Sequence, residues 1–376
     1  MMSPVQTLLY PLLALVTVVA PGASSEPETL QRRAALMGTW LSIELEAEDR
    51  DTGLSISELA FEAVRAVEAR LSTWGDSSEL ALLNRAPVGT AFALSDELRA
   101  ELESVVQLWK DTDGCFDPGV GALVEAWGLR SGGRKPSEAE IAECLAPGGL
   151  KSLALEGSTA RRLHASLRIE EGGFGKGAAL GVAIEVLRNA GVQSALIDLG
   201  GQVSVLGDAP HEIPVAHPHD RESAAVVLSL DRGSLATSGN SERAIDVEGT
   251  RRGHILDPRT GRPVADFGSI TVWAQDGLSA DALSTALFVM GPDRALAWAT
   301  EHDGIEVLVM QPLVTAARSL RVRATAGLID RLQVVGDHID VELSSGNVST
   351  PALPSSDGPG APASIEVPAS VSVSQP

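Results

Sequence analysis

Aromatic residues are scarce: Phe, Trp and Tyr make up 3% of the 376 residues, with a single tyrosine. The core must therefore rest on Leu, Val, Ile and Ala, and a hydrophobic content of 44% is ample for a sizeable one. Against that background the six tryptophans stand out as candidates for specific tasks. Basic residues are also short, 29 Lys and Arg against 50 Asp and Glu, for a net charge of -21. That balance excludes a nucleic-acid footprint, which needs clustered Lys and Arg to meet phosphates, and suits a soluble protein able to hold a cation. Cysteine occurs twice, at Cys115 and Cys144; the two could pair in an oxidising compartment, although isolated thiols in an apolar chain read as plain core side chains.

Charge is missing altogether from Met1 to Ser25, and Leu8 to Ala20 is almost wholly apolar. Such a run is too short to cross a bilayer comfortably. Followed by the small residues of PGASS, it reads as a secretory signal peptide over 1–25, even though its start lacks the usual Lys or Arg. No Cys lies near the cleavage region to carry a lipid anchor, so an exported, periplasmic or secreted protein without a stable membrane span is expected. From Ser344 to Pro376 the chain is built of Ser, Pro, Gly, Ala and Val with only Asp357 and Glu366 as charges, a composition that predicts a disordered tail over 344–376.

Between these ends, Thr39 to Leu45 alternates as a strand does, and Ser57 to Leu71 carries apolar residues at helical spacing. A second helix is expected from Ser95, as cap, to Lys110, with Gly114 beyond its end. A short helix through Cys144 and strands at Ser152 to Leu155 and Leu163 to Ile169 follow. A helix opens at the glycines of 172–177 and runs to Asn189, and the strand Ala195 to Leu199 enters Gly200 and Gly201. Short strands fill 213–273; then come helices from Ser279, as cap, to Met290 and from Arg294 to Glu301, and a strand from Ile305 to Met310. No repeat of fixed period is visible, and meandering strands with separated helices predict an α+β fold, one compact unit over 34–343.

Several windows carry chemistry. In Glu170-Glu171-Gly172-Gly173-Phe174-Gly175-Lys176-Gly177 a strand meets a helix through glycines with a Lys among them. Glycines let backbone N–H groups approach an anion and the helix start adds a favourable dipole, although a plain glycine-rich turn has the same outline. The pattern is neither a Walker loop nor GxGxxG. In Ser279 to Thr285, residues four apart share a helix face, so the Asp281 carboxylate and Thr285 hydroxyl can converge, a donor pair suited to a hard cation such as Mg2+ or simply a helix start with a core-facing Thr. His254 and Asp257, in a turn closing at Gly261, are candidates for acid–base work or for bracing a loop. Thr112 to Pro118 is another turn, and Trp74 in the 71–80 segment offers an indole that can stack on a flat ring or pack.

Taken in order, these windows resemble the ApbE family of FAD:protein FMN transferases from Met37 to Gly291. The matching pieces are Met37-Gly38-Thr39, the Ser72-Thr73-Trp74 to Asn84 stretch, Gly114 to Pro118, Gly172 to Gly177, Asp198 to Gly201, Ala236 to Asn240, His254 to Gly261 and Ala280 to Ala286. The resemblance implies a two-lobed unit of largely antiparallel strands and helices with FAD in a central cleft. It places Met37, Trp74, Cys115, Phe116, Asp117, Glu170, Lys176 and Ile255 at FAD, and Gly173, Asp281 and Thr285 at a Mg2+ ion, Gly173 through its backbone carbonyl. It further implies transfer of FMN to a Thr or Ser hydroxyl of an acceptor redox protein with release of AMP, His254 or Asp257 being the candidate bases. Hydrolysis of FAD to FMN and AMP, or FAD binding without turnover, are the alternatives. The chain departs from the family pattern at Glu170, where Asp is usual, at Gly175, where Ala is usual, and at Asn240-Ser241-Glu242-Arg243, where an acidic residue, an aromatic and Arg usually follow the preceding glycine.

Overall fold

The alternating segment at the start builds a hairpin. In the computed structural model, which describes residues 27–343 apart from 147, 241–243, 248, 314–318 and 338, strand β1 (Glu28–Leu36) pairs with β2 (Thr39–Ala47) along its whole length. The two-residue turn is Met37 and Gly38, with φ of 51° and 68°, the left-handed geometry that suits the twist of a hairpin. Leu41, Ile43 and Leu45 point into the core from one face of β2. The sheet continues through β3 (Ala195–Leu199), β4 (Gln202–Leu206), β5 (Gly233–Gly239), β6 (Ser269–Ala274), β7 (Ile305–Pro312), β8 (Leu320–Ala324) and β9 (Ile339–Leu343). Each strand lies beside the one before it and runs antiparallel to it, except that β9 runs parallel to β8.

Helices enter as excursions from this ribbon. Between β2 and β3 come α1 (Arg50–Leu71), α2 (Glu79–Arg85), α3 (Asp96–Asp111), α4 (Gly121–Ala126), α5 (Glu138–Leu145) and α6 (Gly175–Asn189), together with a small sheet of Phe92–Ala93, Thr159–Arg162 and Leu153–Glu156. Between β6 and β7 come α7 (Gly277–Met290) and α8 (Pro292–Thr300). The central strands are buried on both faces. Val307 and Val309 of β7 join the core formed with α1, α6 and α7, whereas Leu308 and Met310 face Val226 and Leu228 of a second small sheet, Leu332–Val334 with Asp220–Leu230 and His211–His217. Among the described residues no helix is long and apolar enough to cross a membrane.

Several expectations need correction. Helix α1 starts at Arg50 rather than Ser57, because the Asp49 side chain accepts from the Thr52 N–H (2.8 Å) and caps an extra stretch. Gly53 within that stretch faces Leu30 and Ala47, where a Cβ would come within 3.1 Å of Leu30. Residues 163–169 do not form a strand. Gly157, at φ 59°, turns the chain early, so the strand is Thr159–Arg162, and Arg162 then donates to the carbonyls of Leu167, Ala165 and Ala86 at 2.8 to 2.9 Å. Helix α7 starts at Gly277, capped by Asp276 rather than Ser279, whose N–H donates to the Asp276 carboxylate at 2.9 Å. Strand β1 begins at Glu28, ahead of the expected boundary at 34. The reading of Cys115 and Cys144 as separate side chains needs none, since both are free thiols. The leader 1–25, the tail 344–376 and Ser241, Glu242 and Arg243 lie outside the described residues.

Candidate active site

The site grows from the crossing of α6 and α7. Gly177 and Gly277 meet backbone to backbone, so close that a Cβ on Gly177 would overlap the Gly277 carbonyl. This approach brings the Asp281 carboxylate, 4% exposed, against the first turn of α6. One oxygen accepts from the Gly177 N–H at 3.0 Å and the other lies 3.4 Å from the Lys176 ammonium. The Ser284 hydroxyl donates to the Asp281 carbonyl (2.8 Å) and shares a hydrogen bond with Ser238 on β5 (2.8 Å), fixing the helix to the sheet. Thr285, one turn beyond Asp281, lies beside Gly173: a Cβ there would sit 3.5 Å from the Thr285 hydroxyl and 3.3 Å from the Phe116 ring. The structure thus gathers Gly173, Lys176, Asp281, Thr285 and Phe116 in one place. Among the described residues no group of three His, Cys, Asp or Glu side chains is placed to hold a metal. One buried carboxylate, one hydroxyl and a glycine carbonyl fit a hard cation that takes its remaining oxygens from water and phosphate, as Mg2+ does.

A second constellation surrounds the start of the glycine loop. Burial pushes the Glu170 carboxyl up to about 7, the neighbouring Glu171 adding to the rise while Arg130 opposes it. Arg130 ion-pairs with Glu170, lies 3.9 Å from Glu171, and donates to the carbonyl (2.8 Å) and hydroxyl (2.6 Å) of Thr73. The Thr73 hydroxyl in turn bonds Glu171. The central carbon of the Arg130 guanidinium lies over the exposed Trp74 ring, 4.6 Å from its centre. Asn84 holds the entry to the loop, donating to the Ile169 carbonyl (2.8 Å) and accepting from its N–H (2.7 Å). Met37 arrives from the hairpin tip: a Cβ on Gly175 would lie 3.6 Å from its methyl and 3.3 Å from Glu171, so the glycine makes room here. The Met37 N–H is held by Glu68 at 2.9 Å.

The remaining candidates divide. Cys115 is buried and burial pushes its thiol up, the opposite of a reactive cysteine. Asp117 turns its carboxylate to the N–H groups of Gly119 (2.8 Å) and Leu150 (3.0 Å), clasping two turns together, and burial raises it to about 6. A cavity of about 210 Å³ opens beside it, walled by Trp109, Cys144, Lys151 and Arg259. Ile255 is buried in the main core and the His254 side chain is half-buried. Both Asp257 oxygens are taken by the Arg259 guanidinium at 2.9 Å, and its carbonyl closes the turn to Gly261 (2.8 Å). Trp127 donates to the Gly261 carbonyl at 2.7 Å and pins that turn. The pair of Asp257 with Arg259 braces the turn, and the reading of His254 or Asp257 as a base rests on the resemblance alone. Arg130 was missed by sequence reasoning, and Thr73 and Glu171 stood in its windows without a role: Arg130 sits in a polar stretch without periodicity, and its partners are 40 or more residues away.

Comparison with known proteins follows this geometry. The model of the ApbE family matches residues 37–309. The chain is 30% identical over 301 residues to the FAD:protein FMN transferase of Treponema pallidum, covering 74% of this chain and 81% of that one. It is 35% identical over 223 residues to the FAD:protein FMN transferase of Rhodobacter capsulatus, covering 57% of this chain but only 43% of that longer relative. Among solved structures, the ApbE protein of Thermotoga maritima superposes with a TM-score of 0.70 at 29% identity, over 76% of this chain and 94% of that one. The apo flavinyl transferase ApbE of Pseudomonas stutzeri does so with a TM-score of 0.72 over 82% and 98%, a likeness of fold at 24% identity.

Proposed function

The chain belongs to the ApbE family, and from that premise we propose that it is an FAD:protein FMN transferase that uses Mg2+ and works outside the cytoplasm. The observation that carries the reading is the buried Asp281 carboxylate held between the Gly177 N–H and Lys176, with Thr285 and Gly173 beside it. Asp281, Thr285 and the Gly173 carbonyl would hold the ion, and the chemistry it supplies is neutralisation of pyrophosphate charge and polarisation of phosphorus. Lys176 adds positive charge beside the same phosphates, and the start of α6 contributes its dipole. The hydroxyl of a Thr or Ser on an acceptor redox protein attacks the phosphorus on the riboflavin side. The bond from that phosphorus to the AMP moiety breaks, His254 takes the hydroxyl proton, AMP leaves, and FMN remains on the acceptor as a phosphoester. Such transfer asks for positioning and charge stabilisation rather than a covalent nucleophile on the enzyme. Export follows from the charge-free apolar leader at 1–25.

The test is incubation with FAD, Mg2+ and an acceptor bearing a Thr or Ser target. Flavin fluorescence should stay on the denatured acceptor, with AMP released in equal amount. The D281A variant should lose at least about a hundredfold in rate, as expected when the sole carboxylate ligand of a Lewis-acid site is removed. AMP release that runs equally fast without acceptor would instead identify an FAD hydrolase.

A further inference from the structure

We infer that Arg130 is a positioning residue for the flavin ring: its guanidinium backs the Trp74 indole and ties it to the glycine loop, so that Trp74 and Arg130 together form a platform for a flat tricyclic ring. The inference rests on the transferase reading above. Trp74 is 67% exposed although one face of its ring lies under Arg130, which leaves the opposite face open to a ligand. An exposed indole on a loop ordinarily samples several rotamers, and holding one of them before the ligand arrives removes an ordering cost from binding. Arg130 supplies that hold. Its N–H groups are engaged by the Thr73 carbonyl and hydroxyl, by Glu170 and, further off, by Glu171, while its central carbon lies over the ring. A guanidinium can place its charge over a ring while several N–H groups hold fixed partners, which the compact ammonium of lysine cannot do.

The same contacts argue against Arg130 as a cover that the flavin must displace. Moving it away would leave Glu170, with its side chain 18% exposed, and Glu171, with its side chain 10% exposed, adjacent and without their guanidinium. The coupling also has a direction. Glu170 and Glu171 open the loop that carries Gly173, Lys176 and Gly177, so Arg130 sets the indole in register with the phosphate end of the site.

Titration of FAD and of ADP, each with Mg2+, into the wild type and the variants R130A, R130K, W74A and the double variant R130A/W74A tests this. ADP offers the same pyrophosphate without the ring. R130A and R130K should each weaken FAD roughly tenfold, as expected for a cation–π support, and leave ADP within about twofold. The double variant should bind FAD no more weakly than W74A alone, because Arg130 acts through Trp74. Unchanged FAD affinity in R130A overturns the inference. So does tighter binding, which would make Arg130 a cover, and so do equal losses for FAD and ADP, which would mean a loosened glycine loop. Wild-type protein that binds neither ligand would overturn the transferase reading and this inference together, and that outcome is distinct from the others.

Discussion

Glu170 and Asp117 hold their protons higher on the pH scale than ordinary carboxylates do, near 7 and near 6, in each case chiefly through burial. For each, the folded state binds its proton more tightly than the unfolded chain. The stability they contribute is therefore complete below about pH 4 and is lost as pH rises through 6 and 7. Each accounts for something on the order of 3 kcal/mol across that window. An E170Q variant, neutral at every pH, should show a shallower decline in urea stability between pH 5 and 8 than wild type, the gap widening with pH. Parallel curves would mean that Glu170 is already ionised in the fold. At this scale the sequence was legible where residues are near neighbours, as Asp281 and Thr285 are across one helical turn. It was silent where partners are remote: nothing in the string joins Arg130 to Trp74 or turns Asp117 toward Leu150. Asp257 shows that even a near partner can be passed over, since both its oxygens meet Arg259 only two residues on.

The junction of α6 and α7 depends on two glycines that no side chain can replace. A G177A substitution would drive its methyl into the Gly277 carbonyl and to 2.8 Å from the Asp281 Cβ, and a cost of about 3 kcal/mol is expected from overpacking, with loss of transfer activity. Gly181, one turn further along α6, has nothing within 4 Å of its would-be Cβ. G181A should therefore stabilise the protein by about 0.5 to 1 kcal/mol, as alanine does in an open helical position. Thermal or urea unfolding of the two variants side by side separates the close contact from general helix propensity. Helix α6 was readable because its apolar residues follow a glycine-rich start, whereas the seven residues that lengthen α1 were hidden by Gly53. That glycine lowers helix propensity, but its missing side chain is what lets α1 lie on Leu30 and Ala47.

At the level of the whole molecule, one core takes in Leu30 near the start of the described chain, α1, α6 and α7, and Val309 near its end. Distant segments that share a core unfold together, so tryptophan fluorescence and far-UV circular dichroism should trace one superimposable transition. Adding FAD and Mg2+ at a hundred times the dissociation constant should raise its free energy by about 2.7 kcal/mol. Two separated transitions would show that the two faces of the main sheet melt independently. Individual strands of that sheet were legible from alternation and apolar runs, and α+β followed from their order. The layering was not, because a strand buried on both faces, such as β7, looks the same whichever layer it meets. The glycine pair at the helix crossing carries a consequence for the history such a protein can have. A junction packed through side chains is retuned by every substitution around it; one made by peptide groups is not. Drift among the surrounding Leu, Val and Ala residues is thereby uncoupled from the spacing of Lys176 and Asp281, which can stay constant while the rest of the interior is rewritten.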